Sequence, residues 1–164
     1  MSAYITMLTP MTDEGCLLAA LADLGFGQQE IEVHATPARL VGYRGDPRTQ
    51  VAHVIVRRQH LGSSSNDMGF LSTPTGYRAI VSDFDRGRLG DAWLAKLTHG
   101  YQRHWEAKRQ RIAAEERRRL EAERQRVVEA QRKALHDRAK QLGYRVQETR
   151  EGESIRLTLI RRSY

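Results

Sequence analysis

Residues 101–142 read YQRHWEAKRQRIAAEERRRLEAERQRVVEAQRKALHDRAKQL, without a Gly, Pro, Ser, Thr or Asn. Ala, Glu, Arg, Gln, Lys and Leu dominate, the residues that lose least on entering a helix. With the residues just upstream, the stretch predicts one helix from about Leu89 to Leu142. Near its start, Trp93, Leu97, Tyr101 and Trp105 recur at i+4 steps, a stripe suited to packing on a sheet. Beyond Trp105 the apolar positions thin mainly to Ile112, Leu120, Val127, Leu135 and Leu142. Their spacings from Trp105 are 7, 8, 7, 8 and 7. That mean, close to 3.7 residues per turn, favours a straight or slightly right-handed stripe over a left-handed heptad coil. The second apolar position that a zipper needs in each repeat is mostly Lys, Arg, Glu or Gln.

The rest of the chain reads as short strands and one short helix. Tyr4 to Leu8 is a first strand. Thr12 is the expected N-cap of a helix carrying Leu17, Leu18, Leu21 and Leu24, which Gly25 stops. Cys16, the only cysteine, reads as a small core residue of that helix and excludes a disulfide within the chain. Glu30–His34, Leu40–Gly45 and Gln50–Arg58 read as extended, with Ala52, Val54 and Val56 on one face of the last. Met68–Leu71 and Tyr77–Phe84 flank a Pro/Gly turn. Arg145–Thr149 and Ser154–Arg161 flank Glu151-Gly152. The expected fold class is α+β: a mostly antiparallel sheet, a short N-terminal helix, one very long charged helix and a C-terminal β-hairpin. The expected organisation is a globular part, 1–100 with 143–164, interrupted by the long charged helix 101–142. Such a helix leaves the hairpin two solutions. The helix breaks near 113–116 or 124–126 and folds back, or the hairpin meets another chain in a homo-oligomer. Without a turn residue in the segment, the second is the expectation.

The chain of 164 residues carries 27 Lys+Arg against 20 Asp+Glu, a formal charge of +7. Residues 101–142 hold 13 basic and 7 acidic side chains, or +6, so nearly all the excess sits in the long helix. Arg117, Arg118, Arg119, Arg124, Arg126, Arg132 and Lys133 are the candidate phosphate contacts of a nucleic-acid-binding helix. Binding of that kind is sequence-independent and steeply salt-dependent. Against this, Arg111–Glu115, Glu115–Arg119, Arg117–Glu121, Arg119–Glu123 and Glu129–Lys133 are i,i+4 pairs that predict a solvated, salt-laced helix. The three consecutive arginines also point in three directions around it. A spacer or partner-binding helix is therefore the first reading and nucleic acid the second.

No chemistry declares itself. No phosphate-cradling glycine motif precedes a Lys-Ser/Thr pair, and the six histidines form no metal-ligand spacing. No metal, cofactor or catalytic residue is assigned. An enzyme site around Tyr77, Asp83 and His53 is the weakest reading, since Asp83, Asp85 and Asp91 fit turn and helix-start roles. Tyr43-Arg-Gly-Asp46 fits a turn with an exposed ion pair. No run of 18 apolar residues and no basic region ahead of an apolar N-terminal stretch is present, so neither a membrane span nor a secretory signal is expected.

Several stretches, taken in order, resemble a known family. They are Met1-Ser-Ala-Tyr-Ile-Thr, Leu40-Val-Gly-Tyr-Arg-Gly-Asp46, Ala52-His-Val-Ile-Val-Arg-Arg58 and Asn66-Asp-Met-Gly-Phe70 with Tyr77-Arg-Ala-Ile-Val-Ser-Asp83. Ala139-Lys-Gln-Leu-Gly-Tyr144 and Glu151-Gly-Glu-Ser-Ile-Arg-Leu157, running on to Arg161 and Arg162, complete the set. The chain resembles the domain-of-unknown-function family that includes the plastid hypothetical chloroplast reading frame thirty-five proteins and bacterial relatives. The resemblance implies a cytoplasmic or plastid-stromal accessory subunit working beside an AAA+ ATPase, and supplies no catalytic residues. Relative to the shorter members, a coiled-coil-like charged segment from about Lys108 to Leu135 is inserted.

Overall fold

The structure, a computed structural model, describes residues 3–161. Met1, Ser2 and Arg162, which belong to the family-like stretches, lie outside the described residues. The elements follow the order β1 (Tyr4–Leu8), α1 (Glu14–Asp23), β2 (Ile31–Val41), β3 (Pro47–Val56) and α2 (Arg58–Leu61). Next come β4 (Met68–Thr73), β5 (Gly76–Ser82), a 3₁₀ turn over Asp83–Asp85, α3 (Arg86–Leu89) and α4 (Asp91–Gln141), then β6 (Tyr144–Glu151) and β7 (Ser154–Arg161). The chain divides into two compact units, Met1–Gln110 and Arg111–Tyr164. The hairpin is therefore grouped with the distal part of α4, whereas the sequence reading groups it with residues 1–100. α4 is continuous through 113–116 and 124–126, so the expected alternative of a fold-back does not occur.

In the first unit, five antiparallel strands lie in the order β1-β5-β4-β3-β2. α1 connects the two edge strands. Its N-cap is Asp13, whose carboxylate accepts the Cys16 N–H at 2.9 Å. The expected cap, Thr12, stands one residue earlier, and its N–H donates to the Tyr101 hydroxyl at 3.0 Å. Gly25 follows the end of the helix with φ +98°, a conformation glycine adopts without steric cost. Cys16, Leu17, Ala20 and Leu21 face the sheet. There they meet Val54, Val56, Phe70, Ala79 and Val81, with Leu97 and Tyr101 from α4. Fully burying an aliphatic side chain such as Leu97 contributes roughly 1.5–3 kcal/mol. Trp93 packs at the margin of this core and Trp105 is 37% exposed, so the stripe at the start of α4 meets the sheet through its first three members.

Leu40, Ala52, Ile55 and Ile80 form a second, smaller cluster. Ala52 was expected beside Val54 and Val56. The β2–β3 register slips between Val33/Val54 and Ala38/Ala52, and this irregularity breaks the simple alternation. The same irregular pairing joins the two expected extended stretches, Glu30–His34 and Leu40–Gly45, into the single strand β2. A Cβ at Gly69 would lie 2.5 Å from the Ala52 Cβ and 3.0 Å from a Leu40 methyl, so only glycine lets these residues close over β4.

The loop before β4 is held by charge. The carboxylate of Asp67, 1% exposed, accepts from Val41 N and Arg57 Nη1 on one oxygen and from Arg58 N on the other, all at 2.8 Å. Arg57 also donates to Glu32 at 2.6 Å. The guanidinium holds the Glu32 carboxyl below its ordinary range. The Tyr4 hydroxyl donates to the Asp67 carbonyl, and burial followed by the Asp67 charge pushes its ionisation well up. Asp85 stands at the start of α3, as expected, but its side chain does not cap it. It is buried, and accepts from the hydroxyls of Ser65 (2.8 Å) and Ser82 (2.7 Å) and from Arg88 (3.2 Å). Asp46 pairs with Arg48 at 3.0 Å, at an angle that makes no hydrogen bond, while Arg44 lies over the Tyr43 ring. Removing one partner of a buried charge pair costs about 3–5 kcal/mol. Asp67→Ala is expected to lose stability on that scale in urea unfolding, while Asp46→Ala, more exposed, moves the midpoint little.

Candidate interaction surface

The second unit is built from the distal part of α4 and the β6–β7 hairpin. Glu151 pairs with Ser154, leaving Gly152-Glu153 as a two-residue loop whose glycine has φ +61°. Register places Tyr144, Val146, Glu148 and Arg150 on one face with Ile155, Leu157, Leu159 and Arg161. A charged residue, Glu148, thus stands in the middle of the more apolar face. It meets α4: Arg132 Nε and Nη2 reach its two oxygens at 2.7 and 2.6 Å, and His136 Nε2 bonds the first of them. Arg132 also reaches Glu129 at 3.2 Å. Ala139, one turn on, is 3% exposed. The hairpin therefore has a partner that the sequence reading did not weigh, the last turns of its own helix.

That cover is partial. Ile155, Leu159 and Ile160 remain 42%, 57% and 43% exposed. Along α4, Ile112, Leu120, Val127 and Leu135, and Leu142 just past its end, are each more than half exposed. Val128 adds a second apolar residue beside Val127. Charged side chains alternate with this stripe, which has no facing seam in the described residues of the second unit.

The seven candidate phosphate contacts divide. Arg117, Arg118, Arg119, Arg124, Arg126 and Lys133 are exposed on α4. Consecutive positions 117–119 are separated by about 100° around the helix axis. Arg132 is committed to Glu148 and Glu129, which raise its ionisation further, so it acts as a clamp. None of the five expected i,i+4 ion pairs closes within 4.0 Å among the described residues. An exposed pair of this kind contributes only about 0.2–0.5 kcal/mol, too little to fix two long side chains. The observed helix pair, Glu129–Arg132, is i,i+3 and is held by the third partner from β6. The signal for the clamp was present in the sequence as one acid, Glu148, breaking an apolar alternation. Its partners lie 12 and 16 residues away on another element.

Tyr77, Asp83 and His53 are not joined by any hydrogen bond or ion pair among the described residues. The Tyr77 hydroxyl faces Glu14 at 3.5 Å, and burial followed by that carboxylate raises its ionisation. His53 Nδ1 accepts from Ser72 N at 3.1 Å. Asp83 is exposed and donates its backbone N–H to the Ala3 carbonyl. No three His, Cys, Asp or Glu residues converge as a metal-ligand set, and no helix is long and apolar enough to cross a membrane, among the described residues. Comparison with family models, curated proteins and solved structures finds no match.

The clamp titrates. Arg132, then His136, hold the Glu148 carboxyl below its ordinary value of 4.5. Its folded value lies below its unfolded value, so its contribution is present above the ordinary carboxylate range. The contribution is lost as pH falls through the folded value. Amide hydrogen exchange of β6 and β7 is therefore expected to be slower at pH 6 than acid-corrected exchange near pH 3. In Glu148→Gln it should already be fast at pH 6.

Proposed function

We propose that the chain is a non-enzymatic accessory subunit whose distal helix and hairpin form a protein-binding arm. The observation that carries this reading is the apolar stripe Ile112, Leu120, Val127, Leu135 and Leu142, more than half exposed along an otherwise charged helix. Spaced apolar anchors on a charged helix suit insertion into the groove of another protein. The exposed hairpin residues Ile155 and Leu159 extend the apolar surface of the same unit. The family resemblance supplies the partner class, an AAA+ ATPase in the cytoplasm, and a self-associated form is compatible with it. Leu120→Asp with Val127→Asp lies on exposed positions and leaves the first unit untouched. Purification of the tagged full chain from its native host should recover a protein partner with wild type and lose it with this variant. Equal recovery with both overturns the reading.

A second reading, a nucleic-acid module, is favoured by the six exposed cations Arg117, Arg118, Arg119, Arg124, Arg126 and Lys133, which have no ion pair among the described residues. Because they do not share one face, binding is expected to be weak, blind to sequence and lost in moderate salt. Changing Arg117, Arg118 and Arg119 together to Glu should abolish it in a filter-binding titration. Tight, salt-resistant, sequence-selective binding would replace the adaptor reading.

A further inference from the structure

Among the described residues β2 ends the five-stranded sheet and pairs only with β3, so one side of its backbone carries N–H and C=O groups without a described strand beside them. Next to this free edge lies a groove of about 340 Å³ between β2 and α1, lined by Leu18, Ala19, Ala22, Phe26, Ile31 and Val33, with Gln28 the only polar side chain. Ile31 packs against the core on the helix side of the sheet, while Val33 is 47% exposed. The alanines keep the helix wall low. A strand added along β2 would send alternate side chains into this space, the geometry of strand-adding peptide recognition.

Two features define the occupant. The first is length. Pro37 interrupts β2, and the register slips between Val33 and Ala38, so the regular stretch beside the groove is short, Ile31–Val33. The second is charge. Residues 1–38 contain Asp13, Glu14, Asp23, Glu30 and Glu32 and no Lys or Arg, in a chain of formal charge +7. Asp13, Asp23 and Glu32 are matched by Lys108, by Arg103 with His104, and by Arg57. Glu14 lies one turn before Leu18 on the same helix face, and Glu30 immediately precedes Ile31. Glu14 accepts from the Tyr77 hydroxyl at 3.5 Å, and Glu30 accepts from Gly27 N at 2.7 Å and lies 3.5 Å from His60, but neither is paired with a Lys or Arg among the described residues. We infer that the α1–β2 groove binds a short extended segment of another protein, with apolar side chains at alternate positions and Lys or Arg between them. This concerns the first unit alone and holds whether or not the distal arm binds a partner.

The probe is the labelled peptide acetyl-Gly-Arg-Ile-Arg-Val-Arg-Ile-Gly, titrated with the full chain by fluorescence anisotropy at low salt. Saturable binding is expected. It should weaken by about tenfold or more with Ala22→Trp, which fills the groove at an exposed position. Val33→Lys, also exposed, should act alike, with thermal melts of both variants unchanged. A peptide with Glu for Arg, or one N-methylated at the amides of the central Ile-Arg-Val, should bind more weakly by the same order. The inference is overturned by no saturable binding, or by binding indifferent to both variants or to N-methylation. A wild-type dimer in light scattering that Ala22→Trp turns into monomer would also overturn it, since a second copy would then fill the groove.

Discussion

The Tyr101 hydroxyl accepts the backbone N–H groups of Thr12 and Asp13, at 3.0 and 2.9 Å. These are donors at the start of α1 that no intrahelical carbonyl can satisfy. The ring beneath is buried against the core, one turn after the fully buried Leu97. Two turns on, Lys108 reaches the Asp13 carboxylate and holds its ionisation low. The same short segment thus caps α1, anchors the first turns of α4 and closes the core above Val54, Val56 and Phe70. Gly100 stands against Ala20, with an added Cβ at 3.5 Å, so the helices approach closely where both side chains are small. The charged continuation of α4 begins from a segment fixed by packing, two hydrogen bonds from backbone N–H groups to the Tyr101 hydroxyl, and contacts of Lys108 with Asp13 and of Arg103 and His104 with Asp23.

What could be read from the residue order follows the range of the interactions involved. The long helix is written in composition. The helix stop at Gly25 and the alternating Ile155, Leu157 and Leu159 are local, and each appears where expected, while the hairpin turn falls at Gly152-Glu153, one residue after the expected Glu151-Gly152. The choice of Asp13 over Thr12 as cap was not legible. Both are good cap residues, and the tyrosine that accepts both of their N–H groups lies 88 and 89 positions away. The Asp67 network was equally hidden, because its donors come from Val41, Arg57 and Arg58 and each alone reads as ordinary strand or turn. Asp85 is the helix-start acid it looked like, but its burial and its bond to the Ser65 hydroxyl, 20 residues away, were not legible.

The surface reading shows the same limit from the other side. Charge counting marked seven basic residues as equivalent, yet one of them, Arg132, is held by two carboxylates, and the other six radiate around the helix. The apolar spacing of 7 and 8 residues carried more information than the charge, because it keeps Leu120 and Val127 near one line on a straight helix, about 20° apart, with Ile112 and Leu135 to either side of it. Exposed apolar area on such a line is costly to leave in water, and a partner surface is the economical way to remove it.

The most direct measurement is site-specific photo-crosslinking in the native host, with a photoreactive amino acid placed singly at Leu120, Val127 and Arg118. Arg118 lies about 200° around the helix from Leu120. The account predicts one discrete protein adduct from Leu120 and Val127 and little from Arg118. Adducts to nucleic acid, or protein adducts that ignore position around the helix, would contradict it.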